Sequence, residues 1–391
     1  MDALLVVIVH LSDMFFALSF ANPSFIGKAA MFFVVQGISS VLTFFVLSGY
    51  LISMSIFDPL RKGTFSWRAY LVNRLSRLYV VLIPALLLGA LWDWLGMRLY
   101  GLDSPYGGVT LGSITVPPSV VSYFTWENFF GQLLFLQEIK CHTFGSNGVL
   151  WSLSSEFWYY LIFPALLLAF YKPKDKTRSL LSRAICLTLG IAGLCFIGGL
   201  KIWHFLLWLM GTALIFLPLV PQWKSTTKGR VFCVVMGLAC FILRLNLTPA
   251  MPGPAQRIPL EFLLGLSCMV CMYFVLHDKA PVSPDKDKFY SYEFGSDLLA
   301  SFSYSLYLVH MPFMLFLRAT LIKTERWPLD FQHLCYGFIV LLVIMFYAWL
   351  VAQLTEKQTP KVRKLFMKLT GGLDKEKNKT AHIESGRELD P

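Results

Sequence analysis

The sequence predicts an all-α polytopic membrane protein with about ten transmembrane helices and both termini in the cytoplasm. Composition is the first ground: the 391 residues are 56% hydrophobic and 15% charged, with a mean hydropathy of +0.61. A soluble domain carries about 25% charged residues, and a disordered chain needs low hydrophobicity with high net charge. Neither describes this chain. The second ground is distribution, since 34 Phe, 11 Trp and 16 Tyr are spread over the whole length. The third is the recurrence of apolar runs of roughly 20 residues, the length that crosses about 30 Å of hydrocarbon as a helix.

Ten segments qualify in order: 2–21, 30–57, 78–97, 150–171, 180–199, 201–220, 231–247, 257–277, 296–318 and 333–354. The first has no basic leader region and no small-residue cleavage site, so it reads as a retained span and not a signal peptide. The connection 98–149 contains Pro105, Gly107, Gly108, Pro117 and Pro118 and shows little periodicity. Connections that long are usually functional or disordered. The division that follows is a membrane domain over 1–355 and a basic, largely disordered cytoplasmic tail over 356–391.

The formal charge of +11 is explained by position. With the N-terminus inside, the segments 58–77, 172–183, 222–230, 278–295 and 355–391 hold 25 of the 34 Lys and Arg. That asymmetry follows the positive-inside rule. Nucleic-acid binders instead gather their basic residues on a folded soluble face, so no nucleic-acid partner is expected. Membrane lipids are; for the basic tail, a solvated segment is the plainer reading and contact with anionic headgroups the alternative.

Eight cysteines do not form a disulfide framework. Cys186, Cys195, Cys233, Cys240, Cys268, Cys271 and Cys335 lie in or at the ends of spans, leaving Cys141 in the long connection. Cys268 and Cys271 lack a second ligand pair for zinc. No phosphate-binding glycine loop, dinucleotide fingerprint or HExxH sequence is present.

Ionisable groups inside spans are costly and mark function by default. Here they are His10, Asp13, Asp93, Glu156, His204, Glu261 and His310, with Asp297 at an interface. His10 and Asp13 are three residues apart on one helix face. A carboxylate there can orient an imidazole as a general base; a packed histidine bonded to a carbonyl is the plainer alternative. From the helical rise, His10 lies about 12 Å from the inner end of its span, Glu156 about 9 Å from the outer face, and His310 about 20 Å from the inner face. The three line one cavity only if their helices are neighbours. Arg74 and Arg77 are three apart at the start of the third span, spaced to grip one phosphate-bearing ligand; a topological stop signal is the alternative.

Four ordered segments resemble the acyltransferase family 3 of integral membrane acyltransferases. They are Phe44-Phe45-Val46-Leu47-Ser48-Gly49, Arg74-Leu75-Ser76-Arg77, Trp151-Ser152-Leu153-Ser154-Ser155-Glu156, and Ser303-Tyr304-Ser305-Leu306-Tyr307-Leu308-Val309-His310-Met311-Pro312. They are similar to that family's FFxxSG, RxxR, WSLSxE and YSLYLxHxP motifs, and the likeness runs from residue 1 to about 355. The family pattern also has an arginine upstream of the first-span histidine, farther back than the nine residues that precede His10. The expectation is therefore a native start upstream of Met1.

The resemblance implies transfer of an acyl group, commonly acetyl, from acyl-CoA to a hydroxyl of a cell-envelope or exported carbohydrate, in a bacterial inner membrane and without a metal. It implies catalytic roles for His10, Glu156 and Asp13 and donor binding by Arg74, Arg77, Ser48 and Gly49. Trp151, Ser154, Tyr304 and His310 are the expected acceptor contacts. A secondary transporter or flippase for a glycolipid or polar solute is the competing class. It also predicts intramembrane His and Glu, yet no matched pair of broken helices marks two halves.

Overall fold

The computed structural model describes residues 2–17, 25–107, 119–171, 179–217, 231, 235, 254–277, 297–322 and 325–371. Its main elements are helices: α1 (Asp2–Phe15), α2 (Phe25–Arg61), α3 (Trp67–Tyr100), α4 (Val120–Tyr123), α5 (Trp126–Leu133), α6 (Trp151–Phe170), α7 (Leu180–Ile197), α8 (Gly199–Ala213), α9 (Pro254–His277), α10 (Ser303–Leu321), α11 (Phe331–Leu354) and α12 (Thr359–Leu369). Among the described residues, five helical stretches are long and apolar enough to cross a membrane: Ser40–Arg61, Trp67–Tyr100, Gly148–Phe170, Leu180–Ile197 and Phe331–Leu369. The chain is therefore an all-helical, multi-pass membrane protein. The expected span at 231–247 lies outside the described residues except for positions 231 and 235.

Local chemistry sets the ends of several helices. Thr125 and Ser179 cap α5 and α7 by accepting the amide hydrogens of Asn128 and Ser182, and Asp330 caps α11 through His333. Each cap satisfies a donor that the helix itself leaves unpaired. Between α7 and α8 the chain reverses through Gly198 and Gly199, both in the left-handed region at φ 51° and 49°. Only glycine enters that region without a steric cost.

Several boundaries shift, the largest at α3, which begins at Trp67 and not 78; two shifts have a visible cause. The first helix stops at Phe15, short of the expected 21, because residues 15–17 pair with the chain before α11. There the Trp327 amide donates to Phe15 O at 2.7 Å, and the Ala17 amide to Trp327 O at 2.9 Å. The tail expected to be disordered opens with α12, which packs on the start of α3, where Arg68 Nη2 donates to Met367 O at 3.5 Å. Residues 372–391 of that tail lie outside the described residues.

In the core, α1 contacts α2, α10 and α11. Helix α10 also packs on α3 and α11; α2 in turn carries α8 and α9, and α6 lies against α7. The crossing of α2 and α8 is backbone against backbone. A Cβ on Gly211 would lie 1.8 Å from Val46 O, and one on Gly49 would lie 1.9 Å from Trp208 O. Ser53 and Thr212 then share a hydroxyl hydrogen bond of 2.7 Å across the seam. Small residues permit such approach between membrane helices.

Gly211→Ala should destabilise the folded protein by about 1–3 kcal/mol, the usual cost of overpacking a tight seam. Gly89→Ala, whose Cβ would meet only Pro312 Cγ at 3.3 Å, should cost less. Thermal unfolding in detergent, monitored by size-exclusion chromatography, compares the two.

Candidate active site

The buried carboxylate of Glu156, one turn into α6, organises the site. Its Oε1 accepts the Ser48 hydroxyl at 2.8 Å and the Tyr160 hydroxyl from the next turn of α6. Trp208 Nε1 donates to Ser48 Oγ at 3.4 Å, fixing that hydroxyl from α8. A buried carboxylate also needs positive charge nearby. Glu156 lies within electrostatic reach of Arg77 and Arg74, in that order of strength.

The arginines are held differently. Arg74 is partly buried, with its guanidinium carbon 5.6 Å from the Tyr70 ring centroid and 5.9 Å from that of Tyr160. Aromatic faces attract a cation through the ring quadrupole, and the Tyr70 hydroxyl bonds to Tyr160 O at 3.0 Å to keep the pair together. Arg74 Nε is buried and has no hydrogen-bond partner. Arg77 is exposed, and it also interacts with Glu356, whose carboxylate accepts the Ser305 amide at 3.0 Å and hydroxyl at 2.9 Å. Both arginines thus keep N–H groups for a ligand at the start of α3.

Beyond Glu156 the polar groups continue along α10. Tyr307 interacts electrostatically with Glu156, donates its hydroxyl to Val149 O at 2.9 Å and shares a 2.7 Å bond with Ser152. Its ring lies 6.1 Å from that of His310. His310 is fully buried, and its Nδ1 is 2.9 Å from both Leu306 O and Tyr307 O. Carbonyls only accept, so Nδ1 carries the hydrogen and the neutral ring keeps its lone pair on Nε2. That Nε2 is buried without a partner. His10 from α1 stacks on this ring, with centroids 5.5 Å apart and planes at 24°, and its own Nδ1 is also unpartnered.

The segment before α6 is pinned from the far part of α3. Asp93 is buried and accepts both the amide and the hydroxyl of Ser146, at 2.8 and 2.7 Å. Gly145 adopts φ +58°, and a Cβ there would lie 2.1 Å from Asp93 Oδ2. Glycine is required on both counts. Next to it, Asn147 Nδ2 donates to Leu308 O at 2.9 Å, two residues before His310.

The expected site residues thus divide by place. His10 and His310 meet directly; Ser48, Glu156, Arg74 and Arg77 form a second group, and Tyr307 joins the two. Asp13, partly buried, lies almost one turn beyond His10, and the ring that stacks on His10 is His310. Gly49 serves the α2–α8 seam. Ser154 donates its hydroxyl to Phe135 O at 2.9 Å, and Tyr304 donates to Leu78 O at 3.3 Å. Trp151 packs edge-on to Phe45 and lies 5.5 Å from the His204 ring, where a further buried pair, His204 Nε2 and Glu261 Oε2, is 3.4 Å apart.

The helical-rise estimate counted Glu156 from the outer face and left its neighbours open; the structure sets it within electrostatic reach of both arginines. The chain before α6 meets α3 at two levels, Ser146 at Asp93 and, earlier, Leu133 O at the Tyr79 hydroxyl at 2.7 Å. Phe135 O then receives Ser154 Oγ and Trp158 Nε1, each at 2.9 Å. The residues that sequence reading passed over are Tyr70, Ser152, Tyr160 and Tyr307. All are hydroxyls within or beside the quoted motifs, on the same helix turns as the residues singled out. Among the described residues, no group of three or more His, Cys, Asp or Glu is placed to hold a metal ion.

Two groups that hold anions and hydroxyl protons, joined through one helix, form an arrangement suited to group transfer between a charged donor and an alcohol. The comparisons agree with that class of chemistry. A family model described as an acyltransferase domain matches residues 3–353, nearly the whole chain. No curated protein and no solved structure matches it. The match sets aside the transporter alternative: this chain belongs to acyltransferase family 3 and is a membrane acyltransferase.

Proposed function

We propose that the protein transfers an acyl group, commonly acetyl, from acyl-CoA to a hydroxyl of a cell-envelope or exported carbohydrate in a bacterial inner membrane. The observation that carries this reading is the continuous series of polar groups from Arg77 and Arg74 through Glu156 and Tyr307 to the stacked His310 and His10. A donor with several phosphates and an uncharged thioester fits such a series. Arg74 and Arg77 hold phosphates, with the planar guanidinium fork supplying paired donors. The thioester then extends along α10 toward the histidines.

At that end, an imidazole nitrogen with a lone pair and no partner accepts the proton of the acceptor hydroxyl. His310 Nε2 is such a nitrogen, and His10 Nδ1 beside it is a second buried ring nitrogen without a partner. The alcohol oxygen bonds to the acyl carbon, the carbon–sulfur bond breaks, and the thiolate of CoA leaves and takes up the proton. Ester and free CoA are the products. Glu156 keeps the Ser48 and Tyr160 hydroxyls oriented and balances the arginines between turnovers. Asp13 helps to set the position of His10. Trp151, Ser154 and Tyr304 border the acceptor, and Gly49 keeps Ser48 close to the donor.

His10→Ala and His310→Ala should each leave folded protein in the membrane and lower acyl transfer by at least about a hundredfold, the span of a lost general base. Transfer of radiolabelled acetyl from acetyl-CoA in proteoliposomes measures this, and near-normal transfer by both variants would refute the assignment.

Arg74→Ala and Arg77→Ala should raise the apparent KM for acyl-CoA by about tenfold or more each, since a charge-assisted hydrogen bond contributes about 1.5–3 kcal/mol. The KM for the acceptor should change little. An unchanged affinity for acyl-CoA would return the two arginines to a purely topological role.

A further inference from the structure

At the other end of α10 lies a second pair of arginines that the proposed reaction does not use. Arg318 is 1% exposed. Its Nε donates to Met14 O at 2.9 Å, and Nη1 donates to Ile322 O. These bonds cap the closing carbonyls of α1 and α10, where a cation is favoured by the helix dipoles. Capping accounts for part of the side chain only, because Nη2 is buried and has no partner.

Arg326 stands beside it. The two guanidinium groups interact as like charges, and both Nε and Nη2 of Arg326 are buried without a partner. Among the described residues, neither arginine forms an ion pair with a carboxylate. Arg326 is fixed in this position by its neighbour, since the Trp327 backbone pairs with Phe15 and Ala17 at the end of α1. Two cations held together at a cost, with three buried N–H-bearing nitrogens left open, lack a compensating anion among the described residues.

We propose that Arg318 and Arg326 form a second anion site, which takes the phosphate ester of a lipid-borne acceptor. Planar guanidinium groups suit phosphate oxygens through paired hydrogen bonds. Arg318 follows His310 by eight residues, about 12 Å of helical rise, and Tyr304 by fourteen, about 21 Å. The donor site and this site therefore flank the histidines from opposite ends of one helix. A headgroup phosphate anchored here leaves the hydroxyl of an attached sugar within reach of the His310 and His10 rings. The role in acceptor binding rests on the acyl-transfer reading; the anion site does not, because binding alone detects it.

The test uses the full-length protein in detergent with saturating CoA, so that the Arg74 and Arg77 site is occupied. Inorganic pyrophosphate is titrated by calorimetry, and dioleoyl phosphatidic acid is titrated by native mass spectrometry. Saturable binding of phosphatidic acid, with or without that of pyrophosphate, is expected, weakened on the order of tenfold or more by Arg326→Gln. Arg326→Lys, which keeps the charge without the fork, should give an intermediate affinity and controls for folding. Binding of phosphatidic acid alone identifies a lipid headgroup phosphate as the ligand, and binding of pyrophosphate alone identifies a free phosphate and overturns the lipid-borne assignment. Absence of saturable binding by wild type, or equal affinity in wild type and both variants, would overturn the proposal.

Discussion

A single buried carboxylate constrains this bundle. Removing Glu156 from water is costly unless hydrogen bonds and opposite charge replace the solvent. The replacement draws on three other helices: Ser48 from α2, Trp208 from α8 behind it, and Arg74 and Arg77 from α3. Those helices must meet at one level, which is why the α2–α8 seam tolerates no side chain at Gly49 or Gly211. It is also why Tyr70 and Tyr160 are tied hydroxyl to carbonyl beneath Arg74. Packing in lipid has little hydrophobic drive of its own between helices, so polar bonds of this kind help to specify the arrangement.

The same constraint gives the site its direction. Charged groups gather where α3 and α10 begin, and they give way to neutral tyrosine and then to imidazoles one to two turns along α10. On the proposed reading, the polyanionic part of the donor stays at the charged end while the thioester reaches the neutral end. The Asp93–Ser146 bonds and the Asn147–Leu308 bond hold the chain before α6 against α10, so that Tyr307 and His310 keep their place relative to Glu156.

Much of this was legible in the sequence. The long apolar runs matched α6, α7, α9 and α11 closely at both ends, because length and hydropathy are local properties. Arg74 with Arg77, and His310 with its motif, were singled out as candidates by spacing and chemistry. What sequence did not disclose was adjacency between helices. The stacking of His10 on His310 joins residues 300 positions apart, and no periodicity encodes it. The nearness of Glu156 to Arg74 and Arg77 was not readable either, because the 119–150 segment is held by side-chain-to-backbone bonds that leave no periodic trace. The end of α1 at Phe15 escaped notice for a similar reason, since it depends on Trp327. Tyr160 and Tyr307 read as ordinary aromatic residues until their hydroxyls found partners.

The central claim is that one continuous path links the arginines of α3 to the histidines of α1 and α10. A cryo-electron-microscopy structure with a non-hydrolysable thioether analogue of acetyl-CoA bound tests it most directly. The account predicts phosphate density against Arg74 and Arg77, with the acyl carbon beside His310 Nε2 and His10. An analogue seated with its phosphates away from both arginines, or its acyl end away from both rings, would contradict it.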